Sequence, residues 1–479
     1  MRAREISVIA IVILMMLPNA MTVVSAQPSD EVEDYMSITD KIRQWWSNKV
    51  YGAYKVPVDV IKLSKRVAEA DLIVKVDANH ADDFKNDFEF KEITQIDDTT
   101  FHIKIDTKKV VPSRLGAVKY LLTRNFDGTL ATYPYVNAIY VNHKMEALPP
   151  VELAKPLEVG VTTWEMREHY GIDNSTKQGE GIKIAVLDTG VYINNSLNSY
   201  DTNKTFVYSV VNDDGVDRVG HGSHVISIIN GNYTESEDGK IICMGLARNA
   251  TVYSIKVLGN DGTGSEVDII KGIKLAMDLD VNIISMSLGA QIPPYTALYN
   301  AIQEAYARGI IIVAAAGNDE GRYPLAPAAW DGVISVGSLD ENGKLSYFSN
   351  LGFDVAAIGQ NVTAPALYKN TYSFITYSGT SMATPVVSAI IADFLSEHPS
   401  YIGHPKEVVS LIKQTGDYNN PSNPKVVKTD ILGWNNYYYE FPEISYENMI
   451  TLSPQIKPQD KTEMSFSTIS TWRTLGKNP

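Results

Sequence analysis

Cysteine is nearly absent from this chain of 479 residues, since Cys243 is the only one. A single cysteine excludes an intrachain disulfide, so no disulfide framework contributes to stability. Cys243 stands in the apolar stretch Ile241-Ile242-Cys243-Met244. We therefore expect Cys243 to be a small buried hydrophobic side chain and not a reactive nucleophile.

An excess of positive charge is also lacking. The 42 lysines and arginines are outnumbered by 56 aspartates and glutamates, which gives a formal net charge of −14. Because phosphate binding requires a basic footprint, this balance argues against nucleic acid as the main partner. Hydrophobic residues make up 44% of the chain, which is enough for a large core and for two or three domains.

Long apolar runs are missing everywhere except near the N-terminus. There, Arg2 and Arg4 precede the apolar run 8–17, and the small residues Val24-Ser25-Ala26 follow. This pattern is typical of a secretory signal peptide, residues 1–26, removed after Ala26. The alternative is an uncleaved anchor, which the shortness of the run disfavours. We expect a secreted or extracellular protein, either free or associated with the cell surface, with no integral membrane segment once the signal is removed.

Residues 70–145 carry the pattern of a small α+β domain. Strands are predicted at 71–76, 88–96, 100–105 and 136–141, and helices at 81–87 and 113–124. The resulting order, β-α-β-β-α-β, is that of the ferredoxin-like fold. A mixed, charged segment, 27–69, precedes this unit. A linker rich in proline and alanine, 146–156, follows it.

Residues 157–441 have a different character. Near-continuous apolar strands alternate with helical stretches, which predicts an α/β domain with a mostly parallel sheet and helices on both faces. The active site of such a domain lies beyond the carboxyl ends of the strands. Residues 442–479 are expected to form a partly ordered tail.

One serine is placed as a nucleophile would be. Ser381 stands among small residues in Ser378-Gly379-Thr380-Ser381-Met382-Ala383-Thr384-Pro385, just before an apolar run that predicts a buried helix. Small neighbours let a substrate backbone approach the hydroxyl, and free N–H groups at a helix start favour a developing oxyanion. Alone, the motif fits an ordinary serine at the start of a core helix better than a nucleophile.

Three remote polar residues supply the groups that such a serine needs. Asp188 ends an apolar strand, and Asn318 follows another, where its amide can donate a hydrogen bond to an oxyanion. His221 enters a helix, and we expect the helix start to keep its imidazole neutral and basic. Each residue alone also has an ordinary structural interpretation, as a turn, a cap or a loop. A structural role suits the neighbouring His224 better than His221.

The order Asp188, His221, Ser381 is that of the catalytic residues of subtilisin. Over about residues 157–435 the sequence resembles the subtilisin family of serine proteases, the subtilases. The segments that carry the resemblance are Val186-Leu187-Asp188-Thr189-Gly190, His221-Gly222-Ser223-His224-Val225, Tyr253-Ser254-Ile255-Lys256-Val257-Leu258-Gly259, Ser285-Met286-Ser287-Leu288-Gly289, Ala314-Ala315-Ala316-Gly317-Asn318 and Gly379-Thr380-Ser381-Met382-Ala383-Thr384-Pro385. Residues 70–145 likewise resemble the ferredoxin-like propeptide of these enzymes, a folding chaperone and inhibitor, with 27–69 as a preceding pro-segment.

The resemblance implies a role for each group. Ser381 is the nucleophile, His221 the general base, Asp188 the residue that orients the imidazole, and Asn318 an oxyanion donor beside the Ser381 N–H. Edge segments expected to hold a substrate backbone as an added β-strand are Ser287, Leu288 and Gly289 on one side and Gly262, Thr263 and Gly264 on the other. Ala316 and Gly317 are expected to form a wall of the pocket for the residue before the cut bond.

Two departures from the family limit what is carried over. Leu197 stands where subtilisins have a calcium-binding aspartate, and the acidic loop 230–239 either binds calcium differently or is a solvated turn. No metal ligand is assigned, and no cofactor is required for the chemistry. The loop 319–324 is shorter than in subtilisin, so substrate preference is not transferred. Its Tyr323-Pro324 bond is predicted to be cis.

The sequence therefore predicts a secreted serine endopeptidase made as a zymogen, acting on protein or peptide substrates as a monomer. Its own propeptide is the expected inhibitor, and self-cleavage is expected in the linker 146–156. The alternative is a catalytically inactive subtilase fold that serves as a binding or surface-scaffold protein. That alternative predicts the loss of a catalytic residue or of the oxyanion donor, and none of these residues is missing.

Overall fold

The computed structural model describes the residues 69–87, 90–106, 136–151, 159–172, 175–192, 203–235, 239–294, 296–321, 323–368, 371–415, 426–429, 436–439, 443–445 and 449–450. The chain divides into two compact units, Met1–Ala53 and Tyr54–Pro479, and all described residues belong to the second. The predicted signal peptide, residues 1–26, and the segment 27–68 lie outside the described residues.

A seven-stranded sheet forms the centre of the larger domain, and every neighbouring pair in it is parallel. Its strands are β7 (Lys183–Asp188), β8 (Thr205–Ser209), β11 (Thr251–Lys256), β13 (Ile283–Met286), β15 (Ile311–Ala315), β16 (Val333–Leu339) and β17 (Val355–Ile358). Across the sheet they lie in the order β17-β16-β15-β13-β7-β11-β8. The inner strands are buried almost throughout, as expected for a parallel sheet covered on both faces.

Helices cover the two faces of this sheet separately. Ile184 and Val186 of β7 belong to one apolar cluster, which includes residues of α3 (His221–Asn230) and α6 (Thr380–Glu397). Ala185 and Leu187 belong to a second cluster, with α4 (Glu266–Asp278) and α5 (Ala297–Ala307). Since successive side chains of a strand point to opposite faces, the sheet lies between two helical layers. The predicted α/β class is confirmed.

After residue 143, the structure also describes strands and helices outside the seven-stranded sheet and the helices α3 to α6. They are β5 (Lys144–Ala147), β6 (Val161–Thr162), α2 (Thr163–His169), β9 (Thr234–Glu235), β10 (Ile241–Cys243), β12 (Thr263–Ser265), β14 (Leu288–Gly289), β18 (Val362–Tyr368), β19 (Thr371–Tyr377), α7 (Pro405–Thr415), β20 (Val426–Thr429) and β21 (Asn436–Tyr439). Cys243 is fully buried, and burial raises the pKa of its thiol to about 12, as a structural cysteine requires.

A smaller antiparallel sheet forms the N-terminal subdomain, here residues 69–106 and 136–143. It is built from β1 (Glu69–Val76), β2 (Glu92–Asp97), β3 (Thr100–Asp106) and β4 (Val136–Val141), in the order β2-β3-β1-β4, with α1 (Ala81–Asp87) after β1. The second predicted helix, 113–124, lies outside the described residues, as does the start of the strand expected from Phe88. The described elements follow the predicted order of strands.

The subdomain packs on the helical layer of α4 and α5. Ile73 of β1 belongs to the same apolar cluster as these helices. The free N–H groups at the start of α4 bond to the subdomain, because Glu266 N donates to the His143 carbonyl (2.9 Å) and Val267 N to Asn142 Oδ1 (3.1 Å). The carboxylate of the fully buried Glu266 also pairs with the His143 ring.

The C-terminal part returns to the edge of the large sheet. The N–H of Ile444 donates to the Ala356 carbonyl of β17 (3.0 Å), and Ile444 and Met449 are buried in the cluster around α6. Glu443 bonds to the His169 ring (2.9 Å) at the end of α2. Among the described residues, no helix has both the length and the apolar character needed to cross a membrane.

Candidate active site

The four predicted polar residues all lie at the carboxyl edge of the parallel sheet. Among the described residues no hydrogen bond joins His221 to Ser381, because Nε2 of His221 is buried without a hydrogen-bond partner. Asp188 is the last residue of β7, and Asn318 comes three residues after β15. His221 is the first residue of α3, and Ser381 the second residue of α6. Strand ends and helix starts share this edge because every strand of the sheet runs in the same direction.

Asp188 and His221 form a buried, directly bonded pair. Oδ1 of Asp188 lies 2.8 Å from Nδ1 of His221, and their side chains are 1% and 3% exposed. Desolvation lowers the pKa of His221, but the charge and hydrogen bond of Asp188 outweigh it, so that the pKa is raised above its usual 6.5. The adjacent carboxylate thus acts against the helix start, which was expected to keep this imidazole neutral.

Gly222 allows α3 to lie against the loop that follows β7. A Cβ atom at this position would lie 2.2 Å from the Gly190 carbonyl oxygen and 3.1 Å from Oδ1 of Asp188. The first distance is shorter than any side chain tolerates. A larger residue would push α3 away and lengthen the contact between Asp188 and His221.

Two buried charged residues for which the sequence predicted no role support the same loop. Asp217 accepts hydrogen bonds from Thr189 Oγ1 (2.9 Å) and from the Ser223 hydroxyl (2.7 Å), which ties the loop to α3. The ammonium group of the fully buried Lys256 donates to the Thr189 carbonyl (2.6 Å). The one available signal was a lysine at the end of the apolar strand β11.

His224 is buried one turn into α3 and takes part in packing. Its Nε2 lies 3.1 Å from the Val362 carbonyl oxygen and 3.0 Å from that of Ile375, so this nitrogen carries the proton. Burial lowers the pKa of His224 to about 3. The ring is therefore neutral and structural, as expected for the second histidine of the motif.

Ser381 lies at the start of α6 with its hydroxyl turned towards the chain's own backbone. Its Oγ donates to the Leu148 carbonyl (3.2 Å) and lies 3.4 Å from the Ser287 carbonyl. Asn318 is fixed beside it, since Oδ1 accepts from Thr380 N (2.9 Å) and from Thr380 Oγ1 (2.9 Å). The amide nitrogen of Asn318 consequently faces the groove, where it donates to the Pro149 carbonyl (3.2 Å).

The chain itself occupies the groove that the edge segments form. Strand β5 lies between β12 and β14 and is antiparallel to both. In this three-stranded sheet, Met145 pairs with Gly264 and Glu146 with Thr263 and Gly289. The N–H of Ala147 donates to the Gly262 carbonyl, and that of Leu148 to the Ser287 carbonyl. The segments 262–264 and 287–289 thus flank a backbone segment of the same chain.

A cleft of about 440 Å³ opens beside Leu148. It is lined by Glu146, Leu148, Pro149, Pro150, Val151, Gly289, Ala290, Gln291, Asn318, Asp319 and Leu325. Gly317 and Gly289 stand on two sides of Leu325: a Cβ atom at Gly317 would lie 3.0 Å from the Leu325 Cδ1, and one at Gly289 3.2 Å from its Cβ. The side chain of Leu325 therefore fills the space between these glycines.

Leu325 is held in this position by its own backbone. Its N–H donates to the Ala316 carbonyl (2.8 Å), and the next residue, Ala326, exchanges two hydrogen bonds of 3.0 Å with Ala290. The cis peptide bond in this region is Ala326-Pro327, so the prediction for Tyr323-Pro324 is wrong. Leu325 was not identified from the sequence, because only the fold brings the end of the short loop beside Gly289.

No metal centre gathers among the residues that the structure describes. They contain no group of three or more His, Cys, Asp and Glu side chains placed to hold an ion. Within the acidic loop 230–239, residues 236–238 lie outside the described set, and so does Leu197. The prediction about calcium therefore stays untested.

Comparison with known proteins agrees with this geometry. The family model of the subtilase family matches residues 179–433. Subtilisin DY of Bacillus licheniformis is 34% identical over 229 residues, which cover 47% of this chain and 80% of that protein. An alkaline protease of Alkalihalobacillus alcalophilus is 29% identical over 362 residues, 71% of this chain and 90% of that protein. The chain belongs to the subtilase family and is a serine endopeptidase.

Proposed function

We propose that this chain is the zymogen of an extracellular endopeptidase that hydrolyses peptide bonds with Ser381, His221 and Asp188. The observation that carries the proposal is the position of residues 144–148. They lie as a strand between the two edge segments, with the Leu148 carbonyl oxygen 3.2 Å from the Ser381 hydroxyl. A peptide in this place is held as a substrate would be.

Catalysis then follows from the groups around the carbonyl that is attacked. Ser381 Oγ bonds to the carbonyl carbon while His221 takes its proton, and the imidazolium returns that proton to the leaving nitrogen as the C–N bond breaks. Water, activated by the same imidazole, releases the acyl group. Asp188 orients the ring through Nδ1 and stabilises its positive charge. The raised pKa of His221 fits this role, since the cation is the form that Asp188 favours.

Asn318 supplies the oxyanion donor together with the Ser381 N–H at the start of α6. Its amide is already oriented, because its oxygen is held by the N–H and the hydroxyl of Thr380. A donor fixed before the reaction needs no reorganisation when charge develops on the carbonyl oxygen. No cofactor takes part in this scheme.

The N-terminal subdomain acts as the inhibitory propeptide. Support comes from the contacts that join it to α4 and from the continuity of β4 and β5, which leads the chain from the subdomain into the groove. The signal-like N-terminus supports export. Cutting the linker 146–156 would free the groove for other proteins and peptides. A monomer suffices, because all of these groups come from one chain.

The proposal is tested with the full-length Ser381→Ala variant. We expect it to keep its N-terminal segment indefinitely in the absence of other proteases, whereas the natural chain loses that segment. The control is Ser410→Ala, a serine on α7 whose hydroxyl accepts from the neighbouring Gln414 side chain, which should process at the natural rate. Processing of Ser381→Ala at the natural rate would contradict self-cleavage.

Labelling with a fluorophosphonate tests the nucleophile separately. The mature natural enzyme should carry one adduct, on Ser381, located by mass spectrometry of its peptides. The absence of an adduct would favour the alternative of an inactive binding or scaffold protein.

A further inference from the structure

We infer that self-processing cuts this chain on the C-terminal side of Pro150, because the carbonyl bonded to Ser381 and the carbonyl bonded to Asn318 each precede a proline nitrogen. This inference rests on the proposed function, and it names the processed bond and the reason for its delay. The sequence at the junction is Ala147-Leu148-Pro149-Pro150-Val151.

The residues before the junction are bound in one register. The backbone of Met145 pairs with Gly264, and that of Glu146 pairs with Gly289. The Leu148 N–H donates to the Ser287 carbonyl (3.3 Å). In this register, Leu148 is the residue whose carbonyl Ser381 would attack. Leu148 is only 4% exposed and Met145 is fully buried. These side chains anchor the segment through apolar burial.

The residues after the junction are bound in a different register. The Asn318 amide donates to the Pro149 carbonyl (3.2 Å) and not to the Leu148 carbonyl. The Val151 N–H donates to the Ser378 carbonyl (2.9 Å). The carbonyl that accepts from the nucleophile and the carbonyl that accepts from the oxyanion donor therefore belong to neighbouring residues. Attack on either one would lack half of the catalytic arrangement.

Proline makes both bonds poor substrates for a second reason. Cleavage of Leu148-Pro149 or Pro149-Pro150 requires His221 to give a proton to a ring nitrogen, which lacks an N–H and carries an additional ring carbon. That carbon occupies space close to the leaving nitrogen, where the imidazole must approach. Two consecutive prolines also fix an extended backbone, so the segment cannot easily rotate to bring the Leu148 carbonyl towards Asn318.

Pro150-Val151 is the first ordinary secondary amide after the anchored residues. Presenting it to Ser381 requires the segment to move by two residues, which withdraws Met145 and Leu148 from their buried positions. The uncut segment is thus a slowly processed substrate that blocks the groove until it shifts. After the shift, Ser381 forms the acyl bond, the C–N bond breaks, His221 protonates the leaving amine, and water releases the acid.

The test identifies both new chain ends at the earliest detectable stage of processing, by intact mass and terminal sequencing of full-length protein. We expect the released fragment to end at Pro150 and the mature chain to begin at Val151. A first cut at any other bond, Leu148-Pro149 and Pro149-Pro150 included, overturns the inference.

The variant Pro149→Ala sharpens the same test. It creates an ordinary amide after Leu148, so we expect the cut to move to the bond between Leu148 and the substituted residue. The cut should also appear at least about tenfold faster, the change that 1.4 kcal/mol in a barrier produces. The control Pro399→Ala, at the start of the short helix that follows α6, should leave site and rate unchanged. An unchanged site and rate in Pro149→Ala would overturn the inference.

Combining each variant with Ser381→Ala separates the two proposals. If processing continues in the combined variants, self-cleavage itself is wrong. If processing stops there but the natural chain is cut at Leu148-Pro149, self-cleavage stands and only the assigned bond is wrong. Thermal melting of the combined variants, with processing stopped, checks that Pro149→Ala folds as the natural chain does.

Discussion

The two halves of the active site differ in what they contact. Asp188 and His221 are bonded to each other, are almost wholly buried and are supported by the Asp217 network. Ser381 and Asn318 face the groove, and their donors are taken up by carbonyls of the chain's own residues 148 and 149. In the proposed mechanism, the general base and its orienting carboxylate are therefore assembled before the chain is cut, whereas Ser381 and Asn318 are covered by the chain's own residues 148 and 149.

The largest effect should come from the assembled half. Asp188→Asn keeps the shape of the side chain but no longer favours the required tautomer and the cationic ring. We expect kcat of the mature enzyme on a peptide substrate to fall by about 10⁴-fold, with the variant processed by added active enzyme. The control Asp340→Asn lies in a surface turn and should keep full activity. A loss below tenfold would contradict the role of Asp188.

The groove-facing half should give a smaller loss in kcat. Asn318→Ala removes the amide donor and the oxygen that holds Thr380, and we expect kcat to fall by about 10²–10³-fold with little change in KM. Asn342→Ala, in the same surface turn as Asp340, is the control. A rise in KM with unchanged kcat would show that Asn318 binds substrate without stabilising the oxyanion.

The pocket beside Leu148 should set the preferred size of the residue before the cut bond. Leu325→Ala removes the side chain between Gly289 and Gly317, so we expect kcat/KM for a phenylalanine substrate to rise about tenfold relative to that for leucine. Leu345→Ala, a partly buried leucine away from the cleft, should leave this ratio unchanged. No change of the ratio in Leu325→Ala would show that another residue closes the pocket.

The decrease of activity at acidic pH reports on the pair formed by Asp188 and His221. His221 acts as a base only when neutral, and its pKa is raised, so activity is present above that pKa and is lost as the pH falls through it. We expect the midpoint of kcat above pH 6.5, with about a tenfold loss for each unit below it. In Asp188→Asn the midpoint should lie at lower pH. A midpoint below 6.5 in the natural enzyme would contradict the assigned cause.

The smallest effect concerns the affinity of the N-terminal subdomain for the larger domain. Lys274 on α4 pairs with Asp97 of the subdomain at 2.9 Å, with both side chains 24% exposed. Partly exposed pairs contribute roughly 0.2–1 kcal/mol, so Lys274→Ala should weaken inhibition by the added subdomain only a few fold. Lys413→Ala, which removes a pair with Asp354 away from the subdomain, serves as the control. A loss above a hundredfold would make this pair a main anchor.

The sequence predicted the parts of this arrangement that depend on local pattern. Periodicity and small residues alone predict an apolar strand that ends in Asp188, another that ends shortly before Asn318, and a helix that begins near Ser381. The pairing of β5 between β12 and β14 could not be predicted, because it joins segments more than a hundred residues apart. The roles of Asp217 and Lys256 were missed for another reason. In a sequence, a charged residue in a loop or at the end of a strand looks solvent-exposed, and only the fold shows that it is buried.

The most direct measurement compares the reactivity of Ser381 before and after processing. Full-length chain and mature chain are exposed to the same fluorophosphonate, with Pro149→Ala zymogen as a third sample, and the rate of adduct formation on Ser381 is followed by mass spectrometry. Because residues 144–149 occupy the groove, we expect the full-length chain to react at least a hundredfold more slowly than the mature chain, on the order of 3 kcal/mol. Equal rates for the full-length and mature chains would contradict the account, since they would show that Ser381 is open before the chain is cut.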